Sequence, residues 1–166
     1  MSLDAARLFE EHHGSLFRYL VRLTGDSDLA HDAAQEAFTR LLQRPPRAEQ
    51  PRAWLFTVAT NVVRAWANSR KRRGELLLHA GARIPVGDAL PVPDEFVEAN
   101  ERRSAVQRAL AELSEKERTV LLMREEGFAH REIAEAVGTT TASVGTMIAR
   151  ALDKLAAALP LDADAL

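Results

Sequence analysis

Between Gly74 and Asp94 the chain carries Gly74, Gly81, Pro85, Gly87, Pro91 and Pro93 and keeps no hydrophobic period. A structureless stretch of roughly twenty residues is longer than one compact core tolerates. The pattern therefore predicts two small domains, residues 1–73 and 95–166, joined by a flexible linker at 74–94. Both flanks show helical spacing, so the expected class is all-α.

In the first half, Phe9, Phe17, Leu20 and Val21 are spaced for one buried helix face, which "TGDSD" at Thr24–Asp28 breaks with turn residues. A second helix follows with the stripe Ala30, Ala34, Ala37, Phe38, Leu41 and Leu42, and with Asp26 and Asp28 placed where a helix N-terminus favours acids. "RPPRAEQP" ends it. Pro51 suits a first helical turn, and Leu55, Val58, Ala59, Val62 and Trp66 mark a third helix that runs into Arg70, Lys71, Arg72 and Arg73.

After the linker, Val106, Ala109, Leu110 and Leu113 resume the helical spacing, and Ser114 with Glu117 forms an S-x-x-E capping box ahead of Val120, Leu121 and Met123. The stretch "GFAHREIAEAVGTTTASVGTMIARALDKL", Gly127–Leu155, then reads as a helix-turn-helix. Ile133, Ala134 and Val137 give its first helix an apolar face, Gly138 supplies a left-handed stop, and Thr140 is the expected N-cap of the second. Val144, Ile148, Ala151, Leu155 and Leu159 share one stripe of that second helix, which leaves Ser143, Thr146, Met147, Arg150 and Lys154 facing outward, where a recognition helix presents side chains to a major groove. An ordinary helical hairpin with a solvated face fits the same spacing.

Charge divides along the chain. The net is −2, but residues 1–79 hold 12 Lys/Arg against 9 Asp/Glu, while residues 80–166 hold 10 against 15. The dense basic run at 70–73, with Arg64 nearby, is the natural place to look for phosphate affinity; a solvated helix C-terminus would carry cations too. Cysteine is absent, which excludes disulfides and thiolate chemistry. His12, His13, His31, His79 and His130 form no H-E-x-x-H or other ligand spacing, and His12 and His13 are expected at the surface. Neither a phosphate-binding glycine loop nor a G-x-S-x-G elbow occurs, so no enzyme, metal or cofactor is expected. With no basic leader and no apolar run of about 18 residues, a cytoplasmic chain without membrane insertion is expected.

Three stretches carry a family resemblance. "ALAELSEKERTVLLMREEGFAHREIAEAVGTTTASVGTMIARALDKL", Ala109–Leu155, resembles region 4 of bacterial RNA polymerase sigma factors of the extracytoplasmic-function group. "DLAHDAAQEAFTRLL", Asp28–Leu42, resembles their region 2.2, and "PRAWLFTVATNVVRAWANSRKRR", Pro51–Arg73, their regions 2.3 and 2.4. The order and separation are those of the family.

The resemblance implies that Asp32, Gln35, Glu36 and Arg40 meet the beta-prime clamp helices of core polymerase, and their spacing places all four on one helix face. It implies that Asn61, Arg64, Asn68, Arg70 and Lys71 hold the opening minus-ten element, a task that needs polar groups for base edges and cations for phosphates. Trp54 and Trp66 are expected to pack rather than stack on bases. Arg131, Thr141, Ser143, Thr146, Arg150 and Lys154 are the residues implied for the duplex minus-thirty-five element. Thr60 stands where the family often has arginine, Ala65 where it often has aspartate, and Gly145 and Met147 where relatives commonly carry cations.

By the same resemblance the linker threads toward the polymerase cleft, where Asp88, Asp94 and Glu95 would mimic nucleic-acid charge; a passive tether is the alternative. The implied partners are core polymerase, including its beta flap, promoter DNA and an anti-sigma protein whose identity the sequence does not give. The rival reading is a two-domain helix-turn-helix regulator that never binds core polymerase; a helical adaptor without DNA contact is a third.

Overall fold

The computed structural model describes residues 4–46, 50–73 and 94–159. Every element among them is α-helical, and the chain divides into two compact units. The first unit holds α1 (Ala5–Thr24), α2 (Ser27–Gln43) and α3 (Pro51–Arg72); the second holds α4 (Asp94–Ala111), α5 (Glu115–Glu125), α6 (His130–Val137) and α7 (Thr141–Ala158).

Local chemistry sets the helix ends of the first unit. Gly25, at φ 71°, takes the left-handed cap position of α1, and its N–H donates to the Val21 carbonyl at 2.8 Å. Asp26 then caps α2 by accepting from the Asp28 and Leu29 N–H groups at 2.9 and 3.0 Å. Pro51 opens α3 at a position where its missing N–H costs nothing.

The three helices close on Leu16, Tyr19, Leu20 and Leu23 of α1, Ala30, Ala33, Ala34, Ala37, Phe38 and Leu41 of α2, and Leu55, Phe56, Ala59 and Val62 of α3, all buried. Four alanines on α2 let its neighbours approach closely. Two expected core residues lie outside this core. Phe9 is 46% exposed, because it sits in the first turns of α1, beyond the buried stretch that begins at Leu16, and lies against the Phe38 and His13 rings. Leu42 is 68% exposed: one residue past Leu41, it is turned by about 100° out of the stripe. Phe17, Val21, Val58, Trp54 and Trp66 are half-buried.

In the second unit, Ser114 and Glu117 cap α5 reciprocally. The Glu117 N–H donates to Ser114 Oγ at 3.2 Å, and the Ser114 N–H donates to Glu117 Oε2 at 3.0 Å. Arg118 closes the preceding helix: its guanidinium donates to the Leu110 and Ala111 carbonyls of the last turn of α4 at 2.8 and 3.4 Å, and to the Leu113 carbonyl just beyond it at 3.2 Å.

Ala129, which has no side-chain acceptor, keeps only half a capping box at α6, its N–H donating to Glu132 Oε2 at 2.7 Å. Gly138, at φ 66°, ends α6 in the left-handed region, and Thr140 caps α7 by accepting the Ser143 N–H at 3.2 Å. The core comprises Ala109, Leu110, Leu113, Val120, Leu122, Met123, Phe128, Ile133, Ala134, Ala136, Val137, Val144 and Ala151.

Val106 is 43% exposed, and Leu122 rather than Leu121 is the buried leucine of α5. Within α7 only Val144 and Ala151 are fully buried, and Ile148 and Leu155, like Leu159 just beyond the helix, are half-covered. The expected linker lies outside the described residues apart from Asp94, the first residue of α4.

Candidate polymerase and nucleic-acid interfaces

Asp32, Gln35, Glu36 and Arg40 lie on the side of α2 opposite Ala30, Ala34, Ala37 and Leu41, with Glu36 half-buried and the other three exposed. Arg40 Nε donates to Glu36 Oε1 at 2.7 Å, an i,i+4 pair that orders these two side chains on the helix surface. Exposed Leu42 lies seven residues after Gln35 and so near its row, which adds an apolar group to the edge of this polar face. Sequence spacing places Leu42 in the core, but its offset from Leu41 turns it to solvent.

On α3, Asn61, Arg64, Asn68 and Lys71 follow at intervals of three or four residues and share the side facing away from Leu55, Ala59 and Val62. Arg64 Nη1 approaches Asn61 Oδ1 at 3.4 Å, so this amide and guanidinium are held as neighbours. Arg70 falls on the other side of the helix, in line with Ala59 and Trp66, and joins Lys71 only at the helix end. Arg73 Nη2 donates to Ser69 Oγ at 3.0 Å.

Thr60 belongs to none of this surface. It is buried, its hydroxyl donates to the Phe56 carbonyl at 2.8 Å, and it stands 2.7 Å from the Tyr19 hydroxyl. With the Thr60 proton committed to Phe56, Tyr19 is the donor of the pair. The Thr60 departure from the family pattern therefore concerns the core.

The helix-turn-helix is α6 and α7, packed on each other and on α5. Arg131 is exposed on α6, and its guanidinium is paired with Glu135 at 3.3 Å. On α7, Thr141, Thr146 and Arg150 are exposed, while Ser143 and Met147 are half-buried rather than fully outward. The Ser143 hydroxyl is 2.7 Å from Thr140 Oγ1 and so belongs to the helix cap. Ala142 and Ala149, passed over by the spacing argument, share the exposed side with Thr146.

Gly145 leaves room: a Cβ there would meet only His130 Cε1, at 3.9 Å. Lys154, unlike Arg131, is paired with a residue on another helix. Its ammonium lies 2.8 Å from both oxygens of Glu117 on α5. Glu117 is the functional candidate that sequence reading missed; its spacing from Ser114 announces a cap, and nothing local announces a partner 37 residues away.

His12 and His13 are half-buried rather than at the surface. Burial and the nearby Arg52 push the His12 pKa down, and the His13 ring stacks on Phe9 at 4.5 Å. Among the described residues no cluster of three potential metal ligands occurs, and no helix is long and apolar enough to cross a membrane.

A three-helix unit ending in a basic run, followed by a second helical unit that closes on a helix-turn-helix, is the architecture of a two-part DNA-binding transcription protein. Residues 8–73 match the family described as Sigma-70 region 2, and residues 103–155 match Sigma-70, region 4. ECF RNA polymerase sigma factor SigL of Mycobacterium tuberculosis is 37% identical over 118 residues, which cover 69% of this chain and 64% of that protein. The match thus spans a little under two thirds of that relative's length.

ECF RNA polymerase sigma factor EcfG of Rhodopseudomonas palustris is 29% identical, over 89% of this chain and 81% of its own. The sigma factor RpoE from Bartonella quintana, solved in complex with the anti-sigma factor NepR, shares the fold with a TM-score of 0.69 at 21% identity, covering 96% of this chain and 98% of that one. The chain belongs to the sigma-70 family, in its extracytoplasmic-function group.

Proposed function

We propose that the chain directs core RNA polymerase to specific promoters and helps open their minus-ten region, with region 2 within residues 1–73, a linker at 74–94 and region 4 within 95–166. The observation that carries this reading is the succession of region 2 and region 4 matches on one chain. A conventional regulator has no use for region 2, so the rival reading is not favoured.

In this scheme the α2 face of Asp32, Gln35, Glu36 and Arg40 docks on the beta-prime clamp helices. The α3 row of Asn61, Arg64, Asn68 and Lys71 meets the opened minus-ten strand, with Arg70 contributing from the helix end. Amides on such a row match base edges, and cations match the phosphates between them. Arg131, Thr141, Ser143, Thr146 and Arg150 meet the duplex minus-thirty-five element, and the second unit also meets the beta flap.

The chain contributes recognition and supplies no chemistry of its own, since RNA synthesis belongs to polymerase. It works in the cytoplasm, where polymerase is. An anti-sigma protein, such as the one bound to the Bartonella quintana relative, would hold it inactive.

The test is to mix the protein with sigma-free core polymerase, follow co-elution, and ask whether the complex starts RNA on sequences recovered from a random DNA pool. Co-elution with promoter-dependent initiation is expected. DNA binding without core, and no initiation with it, would transfer the chain to the regulators.

A further inference from the structure

We propose that Lys154 is a positioning residue that sets the orientation of α7 through Glu117, rather than a contact to DNA phosphate. The inference rests on the reading of α7 as the helix that meets duplex DNA. Both oxygens of Glu117 receive the Lys154 ammonium at 2.8 Å. An exposed ion pair usually contributes little, because two long side chains must be frozen to form it. Here one of the two is already fixed: Glu117 Oε2 accepts the Ser114 N–H at 3.0 Å as part of the α5 cap, and the carboxylate is only 13% exposed. The Lys154 stem alone pays the ordering cost. The Glu117 pKa is pushed down, first by the Lys154 hydrogen bond and then by the Ser114 backbone N–H.

Position 154 is also where α7 needs a tether. Val144 and Ala151 are its fully buried residues, and after Ala151 its described side chains are exposed apart from half-buried Leu155. At about 1.5 Å of rise per residue, Arg150 lies about 6 Å and Thr146 about 12 Å up the axis from the pair. A small change in tilt at Lys154 therefore moves both side chains relative to the bases beneath them. The capping box of α5 is thereby coupled to the register of α7.

The two roles for Lys154 predict opposite outcomes at its partner. Glu117→Gln keeps the cap, because a glutamine amide oxygen still accepts the Ser114 N–H, but it removes the negative charge and one of the two oxygens that hold the lysine. The experiment compares wild type, Lys154→Gln, Lys154→Arg, Glu117→Gln and the 117/154 double variant. Each full chain is bound to core polymerase, on duplexes that the wild-type holoenzyme selects from a random pool. Binding is followed against salt, and base preference by re-selection. Thermal unfolding of each free chain is measured alongside.

Lys154→Gln and Glu117→Gln are each expected to lower discrimination about three- to fivefold at the same bases. The double variant should be no worse than either of these single changes, Lys154→Arg should keep the wild-type preference, and the salt slope should move by well under 1. The proposal is overturned if Lys154→Gln lowers the salt slope by about 1, as loss of a phosphate contact requires. It is also overturned if Glu117→Gln tightens binding by freeing a cation for DNA, or if the two single effects simply add. A wild-type holoenzyme that selects no sequence would instead remove the promoter reading itself. The unfolding data then decide whether residues 117 and 154 are coupled, and additive shifts there would end the proposal.

Discussion

At the scale of single residues, the structure separates positions that look alike in the sequence. Thr60 and Asn61 are adjacent, yet Thr60 links Tyr19 to the Phe56 carbonyl inside the core and Asn61 stands on the exposed row of α3. Thr60→Val removes the hydroxyl that links Tyr19 to the Phe56 carbonyl inside the core and is expected to cost about 1–3 kcal/mol in a denaturant titration. Thr60→Arg, although it restores the residue frequent in relatives, should destabilise the first unit by more than about 3 kcal/mol, because the guanidinium would have to enter the same space uncompensated. If that variant kept full stability and gained promoter affinity, the assignment of Thr60 to the core would be wrong. Gly145 is the opposite case. It lies in the interior of α7 with ordinary helical geometry and with His130 Cε1 at 3.9 Å as its nearest Cβ neighbour, so Gly145→Ala should raise stability by about 0.5–1 kcal/mol. A lower melting temperature for that variant would contradict the open space at this position.

At the scale of elements, periodicity located the helices well and their covered faces less well. The caps at Asp26, Ser114, Gly138 and Thr140 were legible because each acts on N–H or C=O groups within a few residues. Spacing puts Phe9, Leu42 and Val106 on buried stripes, yet all three are exposed, since spacing describes one helix and does not say where its neighbour stops covering it. The Glu117–Lys154 pair was illegible for the same reason, being tertiary. It has a consequence for pH. A carboxylate whose folded pKa lies below its unfolded value stabilises the fold above the unfolded value, and that stabilisation is lost as pH falls through the lower folded value. The shift of Glu117 is in this direction. Wild type should therefore lose its stability margin over Glu117→Gln below about pH 4.3, in melts recorded from pH 6 downward. A margin that stayed constant or grew on acidification would contradict the pairing. On α2, Asp32→Lys with Glu36→Lys should leave helicity nearly intact, because the Glu36–Arg40 pair is exposed and such pairs are worth about 0.3–0.5 kcal/mol. The same double change should weaken binding to core polymerase at least about tenfold if two charged contacts are reversed there. Unchanged affinity would remove this face from the docking surface.

At the scale of the whole molecule, the distribution of charge argues that neither unit grips DNA strongly alone. Residues 80–166 carry 10 basic side chains against 15 acidic ones, and within α7 the cations are Arg150 and Lys154, with Asp153 between them. With Lys154 paired to Glu117, the exposed side near Thr146 offers one guanidinium and several small side chains, a surface suited to fitting a groove and poorly suited to holding phosphates. The dense basic run is instead on the first unit, where Arg70, Lys71, Arg72 and Arg73 end α3. On the proposed function, affinity comes from holding both units on one promoter at once, since linked sites raise each other's effective concentration without any new contact. Two measurements follow from this division. A fragment of residues 95–166 should bind selected promoter duplexes at physiological salt no better than roughly 10⁻⁴–10⁻⁶ M, the range of non-specific association. Replacing all four residues at 70–73 with glutamine should lower the salt slope of holoenzyme binding by up to about 3, at roughly 0.7 per single-strand phosphate contact. Nanomolar, sequence-selective binding by the fragment would place the grip in the helix-turn-helix after all, and an unchanged slope in the glutamine variant would leave the basic end of α3 as a solvated helix terminus.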